Sequence, residues 1–107
     1  MTVIEAIKSY PALEDVKSNL ISKFCLDRSL ADGDSYSASV KEKTELVAAD
    51  LMVFMATHPE FREGDLSMKY DAAALKQAAK RIYEEYNDPK AASVFSQPTV
   101  QNKSNLW

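Results

Sequence analysis

The chain has 107 residues, 46% of them hydrophobic, and its thirteen Lys and Arg against sixteen Asp and Glu leave a formal charge of -3. That is apolar material for one modest core and too little for two. The acidic balance argues against a protein that grips nucleic acid or an anionic membrane through its overall charge, and no apolar run approaches the roughly 18 residues needed to cross a bilayer.

A single cysteine, Cys25, rules out an internal disulfide, so the fold cannot rely on the staples of small secreted domains. Met1-Thr2-Val3-Ile4-Glu5 carries an acid where a secretory signal would carry basic residues. The chain is therefore expected to stay in the cytoplasm where it is made.

In chain order, Thr2 followed by Glu5 reads as a capping box, and Val3, Ile4 and Ile7 give a short first helix ending near Tyr10. Pro11 suits the first turn of a second helix, which Leu13, Val16, Leu20 and Phe24 carry at helical spacing to about Leu26. Asp27 to Ser37 is rich in turn formers and holds one of the two glycines, which predicts a loop. Ser39 with Glu42 is a second capping-box pattern. The long third helix behind it shows Val47, Leu51, Phe54, Met55 and His58 on one face, and Pro59 ends it.

Between Phe61 and Tyr70 the period changes. Leu66, Met68 and Tyr70 alternate with Asp65, Ser67 and Lys69, as in a short extended segment or hairpin arm. Asp71 then caps a fourth helix whose stripe is Leu75, Ala78, Ala79, Ile82, Tyr83 and Tyr86, stopped by Asn87-Asp88-Pro89. Beyond Pro89 the composition turns to Ser, Gln, Asn and Pro with isolated large apolar residues. The expectation is a mainly α protein: a small four-helix body over 1-89 with a short extended or hairpin segment, followed by an extended C-terminal arm over 90-107.

Chemistry-bearing patterns are sparse. Cys25 sits between Phe24 and Leu26, where a buried structural thiol fits better than a nucleophile served by His58, and His58 closes a helix, where an imidazole bonds the last carbonyls. Asp32-Gly33-Asp34 resembles the opening of a calcium loop, but Tyr36 and Lys43 fall where ligands belong. Glu60, Glu63 and Asp65 lack apolar surroundings that would shift a carboxyl toward acid–base work, and read as a solvated turn. Lys76, Lys80 and Arg81 have Glu84 and Glu85 one turn on, as in a solvated ion-pair face. No glycine-rich phosphate loop or zinc-type spacing is present. No catalytic residue, cofactor or metal is expected.

The C-terminal segment resists a bland reading, because a solvated tail avoids large apolar groups. Val94, Phe95, Val100, Leu106 and Trp107 have the spacing of anchors that enter pockets on another chain, and are expected to bind a partner; folding back over the body is the alternative.

Three stretches carry a resemblance to a known family: Ala48-Ala49-Asp50-Leu51, then Phe61-Arg62-Glu63-Gly64-Asp65-Leu66-Ser67-Met68-Lys69-Tyr70-Asp71, then Ala79-Lys80-Arg81-Ile82-Tyr83-Glu84-Glu85-Tyr86. In order and character they resemble the small helical head–tail connector, or adaptor, proteins of tailed bacteriophages, in the form found in phages and prophages of Bacteroidetes. The likeness covers roughly half the chain and departs at Asp65, where the family pattern would place a second glycine. It implies a structural virion protein, assembled in the bacterial cytoplasm, forming a ring of neighbouring copies at the head–tail joint. Its implied partners are the portal protein and further neck or tail proteins, with DNA passing through unbound and no membrane contact. The alternative is a cytosolic helical interaction module without a virion role, distinguishable by gene neighbourhood.

Overall fold

In the computed structural model, residues 1–58 and 71–95 are described. They form a mainly helical body of four α-helices: α1 (Val3–Lys8), α2 (Ser18–Asp27), α3 (Lys41–Thr57) and α4 (Ala72–Glu85), with 3-10 turns at Pro11–Leu13 and Pro89–Ser93. Among the described residues there is no strand, only one isolated antiparallel bridge between Thr2 and Ser35. The expected extended segment over 61–70 lies outside the described residues, as do Glu60, Glu63 and Asp65.

α3 is the axis of the body. Ten of its residues are buried, among them Leu46, Val47, Ala48, Ala49, Leu51, Met52 and Met55. A helix buried on most of its circumference must be packed on several sides: α4 covers one through Leu75, Ala79 and Tyr83, and α2 and α1 cover others through Ile21, Cys25, Val3 and Ile7. Ala48 and Ala49, both fully buried, have side chains small enough to let neighbouring helices approach closely.

The N-terminus follows the local signals. Thr2 and Glu5 form the capping box, with Glu5 N–H donating to Thr2 Oγ1 at 3.2 Å and Thr2 N–H to Glu5 Oε1 at 2.8 Å. Two more amide donors of this first turn are taken up from outside the helix, Val3 N–H by the Asp34 carbonyl (2.9 Å) and Ile4 N–H by the Asp32 carbonyl (3.3 Å).

The second element departs from expectation. No helix runs from Pro11 to Leu26: Pro11–Leu13 is one 3-10 turn, and α2 starts only at Ser18. Leu13 and Val16 are both buried, but i→i+3 bonds (Leu13 N–H to Tyr10 O, 2.9 Å; Val16 N–H to Leu13 O, 3.2 Å) bring them inward through a tight turn. Their spacing mimics a helical stripe without being one. The buried face of α2 is consequently Ile21 and Cys25, with Leu20 and Phe24 half-buried beside it.

The Ser39–Glu42 box also fails to form. A turn closed by Val40 N–H on the Ser37 carbonyl (3.1 Å) makes Val40 the N-cap, leaving Ser39 one residue outside the helix and its hydroxyl bonded to that of Ser37 (2.9 Å). Asp71 does cap α4 as expected, accepting from Ala74 N–H at 2.7 Å.

At the other end, the chain does not leave the body at Pro89. Asp88 caps the 3-10 turn Pro89–Ser93 by accepting from Lys90 N–H (2.9 Å), and the turn carries Val94 into the core at 6% exposure. The body therefore reaches past the boundary expected at residue 89 to at least Val94, which is packed in the core of its own chain and is not an exposed anchor. Phe95 is exposed, flanked by the ammonium groups of Lys76 and Lys80 at 6.0 and 5.9 Å from its ring. Val100, Leu106 and Trp107 lie outside the described residues.

Candidate functional site

An acid in the middle of an apolar helix has to be paired, because an isolated buried carboxylate would cost far more than the helix contributes. Asp50 is that acid. It is the only charged residue of α3 beyond Glu45, and it is 7% exposed.

Three elements supply its partners. Arg28, just past the C-terminus of α2, makes a two-pronged contact, Nε to Oδ2 at 2.7 Å and Nη2 to Oδ1 at 2.9 Å. Tyr83 of α4 donates its hydroxyl to Oδ1 at 2.6 Å, and Lys90 of the final 3-10 turn reaches the same oxygen at 3.2 Å. Arg28 uses its remaining Nη1 on Asp88 Oδ2 at 2.8 Å. Two cations thus meet two carboxylates, and every arm of the fork is occupied.

Burial alone would push the Asp50 carboxyl up, but the bonds from Arg28 and Tyr83 outweigh it and hold the group below the usual carboxylate range. Asp88 behaves alike: partial burial raises it, while Arg28 and the Lys90 amide lower it further. The Tyr83 hydroxyl is raised, by burial first and by the adjacent Asp50 second. The cluster is built to stay charged as it is at neutral pH.

Beside it lies a cleft of about 350 Å³ between α2, α3, α4 and the final turn. Phe24, Val53 and Phe54 form an aromatic and aliphatic side; Asp27, Asp50, Tyr83 and Lys90 supply polar groups; Ser93 and Val94 close the edge. The ring of Phe24 meets Phe54 edge-on at 5.4 Å, and Phe54 stacks on His58 at 4.2 Å. Its mixed lining suits an apolar side chain with a polar neighbour.

A second cluster ties the same two helices about a turn and a half away. Tyr86 donates its hydroxyl to Glu45 Oε1 at 2.7 Å, while Lys41 reaches Glu45 Oε2 at 3.0 Å and the Tyr86 oxygen at 3.0 Å. Tyr10 is close enough to be affected, its hydroxyl pushed up to about 12 by burial and then by Glu45.

The sequence candidates fall elsewhere. Cys25 is fully buried and its thiol is pushed up to about 11 by burial and by Asp32, opposite to what a nucleophile needs. His58 closes α3, its Nδ1–H donating to the Phe54 carbonyl at 2.8 Å. Asp32 accepts from the Ser22 hydroxyl, and the Asp32–Asp34 loop turns its carbonyls to α1. Among the described residues no group of three His, Cys, Asp or Glu is arranged to hold a metal ion, and no helix is long and apolar enough to cross a membrane. Lys80 meets Glu84 at 3.9 Å.

Sequence reasoning passed over Arg28, Asp50, Tyr83, Asp88 and Lys90 as a set. The available signal was Asp50 itself, the lone charge between Leu46 and Thr57. No curated protein and no solved structure matches the chain. A family profile does match, over residues 1–107, and the chain accordingly belongs to DUF6706, a family of unknown function.

Proposed function

We propose that this chain is a structural protein of the phage neck, a head–tail connector that forms a ring of copies joining portal to tail and leaving a channel for DNA. What supports the reading is how the resemblance maps onto the fold. Two of the three stretches that carry it, Ala48–Leu51 and Ala79–Tyr86, sit on α3 and on α4 with its C-cap, and meet through the 2.6 Å bond between Tyr83 and Asp50. The likeness thus follows one packed unit, the central helix pair and its buried clasp, instead of scattered surface residues. On this reading the chain is not an enzyme, it resides in the virion after assembly in the host cytoplasm, and it needs no cofactor.

Phe95 and the sequence beyond it, with Val100, Leu106 and Trp107, supply the partner anchors in this proposal. The test is co-expression with the portal protein encoded in the same genome, for the full chain and for a chain cut after Phe95. The full chain should co-purify with portal as a ring visible by electron microscopy. The cut chain should keep its helical circular dichroism, since the helices and both clasps described above lie before the cut, and lose the portal. Failure of the full chain to bind portal would overturn the proposal in favour of a cytosolic interaction module.

A further inference from the structure

The Asp50 cluster divides into two parts that differ in what they leave behind when separated. One part belongs to the helices: Arg28, Asp50 and Tyr83. The other belongs to the chain after α4: Asp88 and Lys90.

We propose that residues 89–94 are a strap, pinned by Asp88 and Lys90, which unlatches from the helical body without unfolding it and bares the cleft beside Asp50. The inference goes beyond the connector reading and does not depend on it.

With Lys90 withdrawn, Asp50 still accepts from Arg28 Nε, Arg28 Nη2 and the Tyr83 hydroxyl. With Asp88 withdrawn, Arg28 keeps both bonds to Asp50. Opening the strap therefore strands no buried ion, whereas withdrawing any member of the helical trio would. A network whose outer arms detach while its centre stays satisfied permits local opening; an indivisible one does not.

Fastening and sealing point the same way. The strap buries one large apolar side chain, Val94, and half-buries Ala91. Its Lys90 side chain is 56% exposed, so that ion pair is weakened by solvent. Against these stand the rotational freedom of six backbone units. α4, for its part, is finished before the strap begins. Asn87 adopts a left-handed conformation (φ 55°), and Asn87 and Asp88 N–H close on the Glu84 and Tyr83 carbonyls at 3.2 and 2.8 Å. Motion about Asp88–Pro89 need not fray the helix.

The cleft explains what opening does. Lys90, Ser93 and Val94 are the strap's share of its lining, and the helices supply the rest, among them Phe24, Val53 and Tyr83. Removing that share opens the cleft into a shallow face on which Phe24, Val53 and Phe54 lie beside Asp27, Asp50 and Tyr83.

The experiment is native-state hydrogen exchange on the full chain at pH 7, comparing the strap amides of Lys90 and Ala91, bonded to Asp88 at 2.9 and 3.0 Å, with amides of α3. Strap protection should be at least about tenfold lower than that of α3 and insensitive to low urea, as expected of local opening. Lys90→Met, which leaves the helical trio whole, should lower strap protection by about fivefold, the scale of a solvent-weakened pair, and leave α3 unchanged. Asp88→Asn should act in the same direction at Ala91, whose amide bonds the backbone carbonyl of residue 88 and not its side chain. Strap and α3 amides exchanging through a common opening, or strap exchange that neither substitution alters, would overturn the proposal.

Discussion

Two polar clasps join α3 to the C-terminal end of α4, and they are alike in parts but opposite in setting. Each has an acid on α3, a tyrosine on α4 or at its C-cap, and at least one cation. In the first, the side chains of Asp50 and Arg28 are 6% and 17% exposed; in the second, those of Glu45 and Lys41 are 17% and 49% exposed. The same bonds differ in consequence because water replaces a lost partner in the outer clasp and cannot do so within the Arg28–Asp50–Tyr83 trio of the inner one.

The largest difference between the clasps is expected from Asp50→Ala. It leaves the Arg28 guanidinium without its two-pronged partner and the Tyr83 hydroxyl without an acceptor, and should cost about 3 to 5 kcal/mol, much of the stability of a domain this size. Urea denaturation followed by circular dichroism measures it. Glu45→Gln should move the midpoint by a small fraction of that amount. Equal effects would mean that burial does not distinguish the clasps.

Tyrosine to phenylalanine sharpens the contrast while keeping the ring. Tyr83→Phe removes one donor from a buried carboxylate and should cost about 1 to 3 kcal/mol. Tyr86→Phe should cost clearly less, because Lys41 still serves Glu45 at the surface. A larger loss at Tyr86 than at Tyr83 would reverse the ranking.

Acid provides a third probe. Asp50 and Asp88 are held below the usual carboxylate range, so their bonds add stability at pH above about 4, and this contribution drains away as the pH falls through their folded values. Stability should be level between about pH 7 and 5 and fall steeply below 4. Asp88→Asn should flatten that fall, and an unchanged profile would place its origin outside the inner clasp.

Of these residues, only some could be read in advance. The Thr2–Glu5 box and the Asp71 cap are decided within one helical turn, and local sequence sufficed. Ser39–Glu42 has the same pattern, yet a neighbouring turn displaced the helix start by one residue. Leu13 and Val16 fit a helical period equally well on a helix or around a 3-10 turn, so the break before Ser18 left no mark in the pattern. Asp50 stood out by its charge in an apolar run, but its partners lie 22, 33 and 40 residues away along the chain. Which cation finds which acid is a property of the packed body.

The smallest predicted effect is also the most exacting. Lys41→Met removes the cation of the outer clasp and should leave the melting curve superimposable on that of the unmodified chain, since Tyr86 still holds Glu45. A measurable loss would show that solvent does not stand in for this partner.

The short first helix bears on how the chain is made. α1 has six residues, well under the ~12 to 15 that an isolated helix needs to persist in water. Its first-turn amides rely on the carbonyls of Asp32 and Asp34, and the Met1 carbonyl accepts from Tyr36 N–H at 2.8 Å. During translation those acceptors reach the ribosome exit seconds after the helix does, at about 5 to 20 residues per second. α1 thus cannot settle until the Asp32–Tyr36 loop has followed it out, and Val3, Ile4 and Ile7 travel through that interval as a bare apolar stretch, open to a chaperone or to a neighbouring nascent chain.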